Sequence, residues 1–211
     1  MTEFYLVRHG ETEINQRGEI NGGLVDSPLT AKGRTGAARV GQALAQHRFV
    51  QVLSSPLPRA LTTAQMIVAA NDDPHTPLQA ANGLWEMRLG AWDGKRPDQI
   101  EDGLGREIYF HRPLEFDADY APAIGAERYA EVEQRVVPVI TTAAAAHPSG
   151  KILVVAHGLV FQVLVNALLG RPLALLRSLP ILQNTTVTKL NTSDGKHFEL
   201  IYRDRAPLAE K

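Results

Sequence analysis

Short β-branched apolar runs alternate along the chain with stretches of helical spacing. Phe4 to Val7 is the first run, a predicted strand that ends at once in Arg8-His9-Gly10-Glu11-Thr12. A loop rich in Gly, Asn and Asp leads to Pro28. Thr30 then stands as the N-cap of a predicted helix reaching about Gln46, with Val40 and Leu44 on one face. Val50 to Leu53 is a second run, stopped by Ser54-Ser55-Pro56. The spacing of Leu61, Ala64 and Val68 predicts a helix from about Pro58 to Ala70. Asn71 to Pro77 is a turn cluster, and Leu78 to Ala80 a small strand.

The segment at about 84–125 breaks this rhythm. It carries Trp85, Trp92, Tyr109, Phe110, Phe116 and Tyr120 without a clean period, and reads as an insertion of short helices and loops packed over the sheet edge. A helix is predicted from roughly Glu127 to His147, with Pro138 expected to bend or interrupt it. The apolar stretch 152–169 is long enough to raise the question of a membrane span, but His157, Gln162 and Asn166 interrupt it and Gly158 splits it. A buried strand followed by a buried helix fits it better. Thr186 to Leu190 and His197 to Tyr202, joined through Asn191-Thr192-Ser193-Asp194-Gly195, predict a terminal hairpin. Together these elements predict an α/β three-layer sandwich: a mainly parallel sheet with an antiparallel edge and helices on both faces, built as a single domain over 1–211.

Composition narrows the class. Of 211 residues, 44% are hydrophobic and 21% charged, values of a globular chain with a sizeable core. Lys and Arg number 22 against 23 Asp and Glu, a balance that argues against nucleic-acid or anionic-membrane partners held by bulk charge. The absence of cysteine excludes disulfides, thiolate metal sites and cysteine nucleophiles. No secretory signal is visible at the N-terminus, so a cytoplasmic location is expected.

In open α/β sheets the site lies beyond the carboxyl ends of the strands. Arg8-His9 leaves the first strand, Ser54-Ser55 with Arg59 the second, and His157-Gly158 the buried one. Each exit delivers a polar or cationic group to one rim. Two histidines and two arginines with few acids between them suit a compact anion such as a phosphoryl group, which guanidinium groups grip bidentately. Helices starting near Pro58 and Gly158 would add backbone N–H donors. The remaining histidines, His47, His75, His111, His147 and His197, share no metal-ligand spacing, and no metal or cofactor is expected. Trp85 and Trp92 read as packing residues, and Asn184 as a structural turn residue rather than one that touches the pocket.

Five segments in order resemble the histidine phosphatase, or phosphoglycerate mutase-like, superfamily. They are Leu6-Val-Arg-His-Gly-Glu-Thr-Glu-Ile-Asn15, Asp26-Ser-Pro-Leu-Thr30 with Gly33, Ser54-Ser-Pro-Leu-Pro-Arg-Ala60 with Thr62-Thr-Ala64, Leu84-Trp-Glu86 with Gly90-Ala-Trp-Asp-Gly94, and Val154-Val-Ala-His-Gly158. The resemblance implies the matching fold and a metal-independent phosphomonoesterase of the histidine acid phosphatase type. His9 would become transiently phosphorylated, its other ring nitrogen held by a backbone carbonyl. Arg8, Arg59 and His157 would surround the equatorial oxygens, and Asn15 would donate one more hydrogen bond. Glu86, its pKa raised by burial beside Trp85, would protonate the leaving alkoxide and later activate water. Backbone groups at Asn21, Gly22, Gly158 and Leu159 would complete the cradle.

The resemblance leaves the reaction open between hydrolysis and phosphoglycerate mutation. The family's mutases draw a second anion site from a longer insertion with an adjacent arginine pair; here the nearest basic neighbours are Lys95-Arg96 and His111-Arg112, and Gly125-Ala126-Glu127 imperfectly resembles the Gly-Glu-Ser of the phosphatase branch. Hydrolysis of a small phosphorylated metabolite is therefore favoured. Glu19 stands where the phosphatases usually carry an arginine, which points to monophosphates, and Tyr109, Phe110, Phe116 and Tyr120 are candidates to face a sugar or nucleoside. A non-catalytic phosphate-binding domain is the third reading, disfavoured because His9 and Glu86 are both present. Nothing in the sequence sets the oligomeric state, a homodimer included.

Overall fold

A computed structural model describes residues 1–100 and 103–207; residues 101 and 102 of the expected insertion, and residues 208–211, lie outside the described residues. The strands are β1 (Thr2–Arg8), β2 (Phe49–Ser54), β3 (Leu78–Ala80), β4 (Gly150–Ala156), β5 (Val187–Thr192) and β6 (Phe198–Arg205). The helices are α1 (Glu13–Gln16), α2 (Ala31–Ala43), α3 (Pro58–Ala69), α4 (Gly103–His111), α5 (Pro113–Glu115), α6 (Ala121–Ala123), α7 (Tyr129–Ala146) and α8 (Gly158–Leu168).

One sheet runs in the order β3-β2-β4-β1-β5-β6. The first four strands are parallel, and β5 is antiparallel to both β1 and β6, the predicted antiparallel edge. Alternation along β1 sorts the core into two layers. Phe4 and Leu6 pack with residues of α7 and α8, such as Val136, Ile140, Val160 and Leu164. Tyr5 and Val7 pack on the other side with Val40 of α2 and Ala60, Ala64 and Ile67 of α3. Ile152 to Ala156 of β4 are buried throughout, as a strand covered on both faces must be. No helix among the described residues is long and apolar enough to cross a membrane.

Several details differ from the sequence reading, among them that Asn191 and Thr192 belong to β5 and that β6 runs on to Arg205. Helix α2 ends at Ala43, short of Gln46. Helix α7 runs through Pro138 without interruption, because that residue is on the exposed face, where water can meet the carbonyl one turn earlier. The insertion does not cap the sheet edge: Leu84, Met87, Leu89, Trp92, Ile108 and Phe116 join the core on the α7–α8 face. Its aromatic residues form a cluster of their own, with Trp92 5.6 Å from Tyr109 and Phe116 5.1 Å from Tyr109 between ring centroids.

Strand register decides where the chemistry goes. Arg8 is paired with Ala156, and Ser54 with Val155, so three parallel strands end level with one another. The ladder continues one residue further on each, with His9 N–H donating to Ala156 O at 2.9 Å and Ser55 N–H to Val155 O at 2.9 Å. His9, Ser55 and His157 therefore leave the sheet side by side.

Candidate active site

The two histidines meet at the strand ends with ring centroids 5.1 Å apart. They are almost inaccessible, His9 at 2% and His157 at 0% exposure. The Nδ1 of His9 lies 2.8 Å from the carbonyl oxygen of Gly10, which can only accept, so Nδ1 carries the proton and Nε2 keeps its lone pair. Burial, reinforced by the charges of Arg8 and Arg59, holds the His9 pKa well below that of a free imidazole. Burial, with Arg59 next, does the same to His157. The Nε2 of His157 is 2.7 Å from Ser55 Oγ, whereas its Nδ1 is buried without a hydrogen-bond partner.

Arg8 gives Nη1 to Leu182 O at 2.5 Å and leaves Nε without a partner. Arg59 is buried from the first turn of α3 and more committed than expected. Its Nη1 donates to Val25 O and to Asp26 Oδ1, both at 2.7 Å, and its Nη2 to Asn21 O and Gly22 O at 3.3 and 3.0 Å. Its Nε is again left over. The expectation of few acids thus needs correction, since Asp26 pairs directly with Arg59. Asn15 closes a capping box with Thr12 at the start of α1, its Oδ1 accepting Thr12 N–H at 3.2 Å and Thr12 Oγ–H at 3.1 Å. The Asn15 oxygen is occupied in this way, and its amide NH2 remains to be given elsewhere.

Glu86 is buried at 5% exposure. Its Oε1 accepts the N–H groups of Met87 at 2.9 Å and Val160 at 3.0 Å, and its Oε2 that of Leu159 at 3.2 Å. Burial raises its pKa against the pull of those donors and of Arg59. The first N–H groups of α8 therefore serve the carboxyl, and Leu159 N–H does not stand free for the cradle as the sequence reading had it. Trp85, its neighbour in the chain, is 37% exposed, and its Nε1 donates to Gly23 O at 2.8 Å. A Cβ on Gly158 would sit 2.5 Å from Ile181 Cγ2 and 3.5 Å from the Arg8 guanidinium, so only glycine lets α8 start this close.

Arg8, Asn15, Asn21, Gly22, Glu86, Gly158 and Leu159 line a cavity of about 210 Å³. His9, Arg59 and His157 are not in that lining and are buried. The outer wall is Ile20, Leu89, Trp92, Pro97, Ile100, Tyr109, Phe110 and Ile181, with Glu19 and Arg106 the remaining charged residues. Of the four insertion aromatics, Tyr109 and Phe110 face this space, whereas Phe116 is fully buried core and Tyr120 is outside the lining. Trp92, expected only to pack, does both. Glu19 does line the cavity, but Arg17 pairs with it at 2.8 Å, so its charge is offset. Among the described residues no group of three or more His, Asp and Glu side chains is placed to share a metal ion.

Sequence reasoning missed Ser55 as the partner of His157 and Asp26 as that of Arg59, although both lie inside the motifs it quoted. It also missed Thr63, whose Oγ1 accepts Gly10 N–H at 3.0 Å from α3. The profile of the histidine phosphatase superfamily (branch 1) matches residues 4–204. The chain belongs to that superfamily. Among solved structures it is similar to Bacillus stearothermophilus YhfR, at 31% identity and a TM-score of 0.86, over 97% of this chain and 98% of that one. The mycobacterial glucosyl-3-phosphoglycerate phosphatase is similar at 26% identity and a TM-score of 0.84, over 96% of this chain and 99% of that one. Among curated sequences, the probable phosphoglycerate mutase GpmB of Salmonella paratyphi A is 29% identical over 196 residues, 93% of this chain and 87% of the relative. The matched span covers all the strand exits that carry Arg8, His9, Arg59 and His157.

Proposed function

We propose that the protein is a phosphomonoester hydrolase that works through a phosphohistidine at His9. The observation that carries the reading is a set of three buried nitrogens without partners, Arg8 Nε, Arg59 Nε and His157 Nδ1, grouped around the His9 ring. Buried donors are almost always satisfied, so three together beside one imidazole favour an anion as their partner. Their remaining bonds fix the direction of each one. Ser55 accepts Leu57 N–H at 3.3 Å and has a hydroxyl proton to give. Giving it to Nε2 of His157 makes Nδ1–H the donor.

In the reaction, His9 Nε2 attacks phosphorus in line as the ester oxygen leaves. Arg8, Arg59, His157 and the Asn15 amide neutralise the equatorial oxygens, where a phosphoryl transition state needs most help. Glu86 gives its proton to the leaving oxygen and, in the second half-reaction, takes one from the water that attacks phosphohistidine. Oε2, with a single N–H partner against two on Oε1, is the oxygen free to carry that proton.

The outer cavity favours hydrolysis of a small monophosphate over mutation. A mutase must hold a second anion beyond Glu86, and that wall is apolar apart from Arg106, which gives Nη1 to Pro97 O at 2.7 Å, and the Arg17-paired Glu19. The mutase reading has the naming of the Salmonella relatives in its favour. The test is p-nitrophenyl phosphate hydrolysis with chelator present, together with acid-quench trapping of the labelled enzyme. Turnover, an acid-labile and base-stable phosphoenzyme, and loss of both in His9→Ala are expected. Activity that vanishes on chelation, or that needs a bisphosphoglycerate primer and yields no free phosphate, overturns the reading.

A further inference from the structure

The loop between α8 and β5 grips both residues at the end of β1. Thr185 N–H donates to Arg8 O at 3.0 Å, Leu182 O accepts Arg8 Nη1 at 2.5 Å, and Asn184 Nδ2 donates to His9 O at 2.9 Å. Asn184 Nδ2 also reaches Asn15 Oδ1 at 3.5 Å. Backbone and side chain of Arg8, backbone of His9 and the amide of Asn15 are thus all tied to residues 182–185.

That loop is pinned from β6. Asp204 Oδ1 accepts Gln183 N–H at 2.8 Å and lies 2.6 Å from Thr186 Oγ1, while Asp204 N–H donates to Thr188 Oγ1 at 3.0 Å. Among the described residues, Thr185 and Asp204 are the two non-glycine residues with positive φ, each at 55°. A left-handed threonine is disfavoured by its branched Cβ, and such strain persists only where the surroundings over-determine the conformation. Here they do: Thr185 packs onto Gly36 of α2, where a Cβ would come within 2.5 Å of Thr185 Oγ1. Both left-handed residues belong to one device, and that device touches Arg8, His9 and Asn15.

We propose that Asp204 and the 182–186 loop form a clamp that sets the nucleophile and its first cation, making Asn184 and Asp204 positioning residues for phosphoryl transfer. The proposal rests on the phosphohistidine reading. Neither residue touches the transferred group; each acts on the main chain that carries His9 and Arg8. Positioning is most of what a protein contributes to this chemistry, and small displacements at the attacking atom cost large factors in rate.

The experiment compares Asn184→Ala, Asp204→Gly and Asp204→Asn with the parent. Glycine at 204 accepts the left-handed backbone without strain but offers no acceptor; asparagine tolerates that backbone and keeps an oxygen there. In Asn184→Ala and Asp204→Gly, kcat for p-nitrophenyl phosphate is expected to fall at least tenfold with KM within about threefold. Asp204→Asn is expected to recover most of it. Binding of orthovanadate, measured by calorimetry on the folded proteins, is expected to weaken by a similar factor, and that of inorganic phosphate much less. A kcat within twofold of the parent in both loss variants, or vanadate binding unchanged, overturns the clamp. So does an Asp204→Asn variant no better than Asp204→Gly at equal Tm. Failure of the phosphohistidine reading shows separately, as hydrolysis that survives His9→Ala.

Discussion

His157 Nε2 sits 2.7 Å from Ser55 Oγ, so the first residue beyond β2 is the hydrogen-bond partner of the first residue beyond β4. Replacing Ser55 by alanine leaves the ring in place but removes the hydroxyl proposed to keep Nδ1 the protonated nitrogen. The imidazole is then free to move its proton to Nε2 and to point a lone pair at the phosphoryl oxygen. Ser55→Ala is expected to lower kcat by about ten- to a hundredfold, as the loss of one oriented transition-state donor does. Heteronuclear NMR of the His157 ring checks the cause: Nδ1–H in the parent and a mixed tautomer in the variant. An unchanged tautomer together with a lowered rate removes this account.

Glu86 is buried and its pKa raised, the state of an acid that keeps its proton for a leaving group. Glu86→Gln is expected to slow phosphoenzyme formation from alkyl phosphates by about a hundredfold or more, within the usual range for general acids. With p-nitrophenyl phosphate, whose leaving group needs little protonation, the loss is expected to be several-fold at most. Rapid-quench measurement on both esters tests it, and equal losses would remove Glu86 from the acid role.

Asp93 bridges two segments, accepting Leu24 N–H at 3.3 Å and Leu89 N–H at 3.0 Å on Oδ2 while its Oδ1 is buried without a partner. Burial pushes its pKa up to about 6. An unfolded aspartate ionises near ~3.9, so between these values the folded state holds a proton that the unfolded state has lost. The contribution to stability is thus complete below about pH 4 and lost as pH rises towards 6. Asp93→Asn keeps an acceptor for both N–H groups and has no charge to bury. Its Tm is expected to match the parent at pH ~4 and to exceed it at pH ~7. A Tm difference constant across that range would show that Asp93 ionises normally.

Arg135 of α7 holds the chain ahead of Glu86, donating to Gly83 O at 2.9 Å and Trp85 O at 2.7 Å. It pairs with Glu127 at 2.9 Å, and Glu127 in turn accepts Arg88 N–H at 2.8 Å on the far side. One ion pair therefore brackets the carboxyl residue. Breaking a fully buried pair costs roughly 3 to 5 kcal/mol. Arg135 keeps 23% side-chain exposure, which reduces that cost, so Arg135→Met is expected to destabilise by about 2 kcal/mol in urea denaturation. Activity under native conditions is expected to fall as well, through kcat. A variant with parental stability and rate would show the pair to be ornamental.

How much was legible in the sequence differs from residue to residue. The strand-exit positions of Arg8, His9 and His157 could be read because each follows a short β-branched apolar run, and parallel strands present such exits on one side. A backbone carbonyl was expected to hold the His9 ring without being named; it is that of Gly10, 2.8 Å from Nδ1. Asn15 is in place because Thr12 caps its helix, a local relation visible in four consecutive residues. Leu159 went otherwise, since nothing local reveals that Glu86, 73 residues earlier, takes its N–H. The insertion aromatics were separable into core and cavity only once their shared cluster around Trp92 and Tyr109 was formed.

The amino-acid sequence by itself determined the alternation of strands and helices and the identity of the groups at the strand ends, because hydrophobic period, capping and turn chemistry act over a few neighbouring residues. Tertiary structure alone decided how those groups are charged, oriented and held. Asp26 against Arg59, Ser55 against His157 and Asp204 behind the 182–186 loop are contacts between segments far apart in the chain. Register and burial create them, and neither quantity is written in any one stretch of residues.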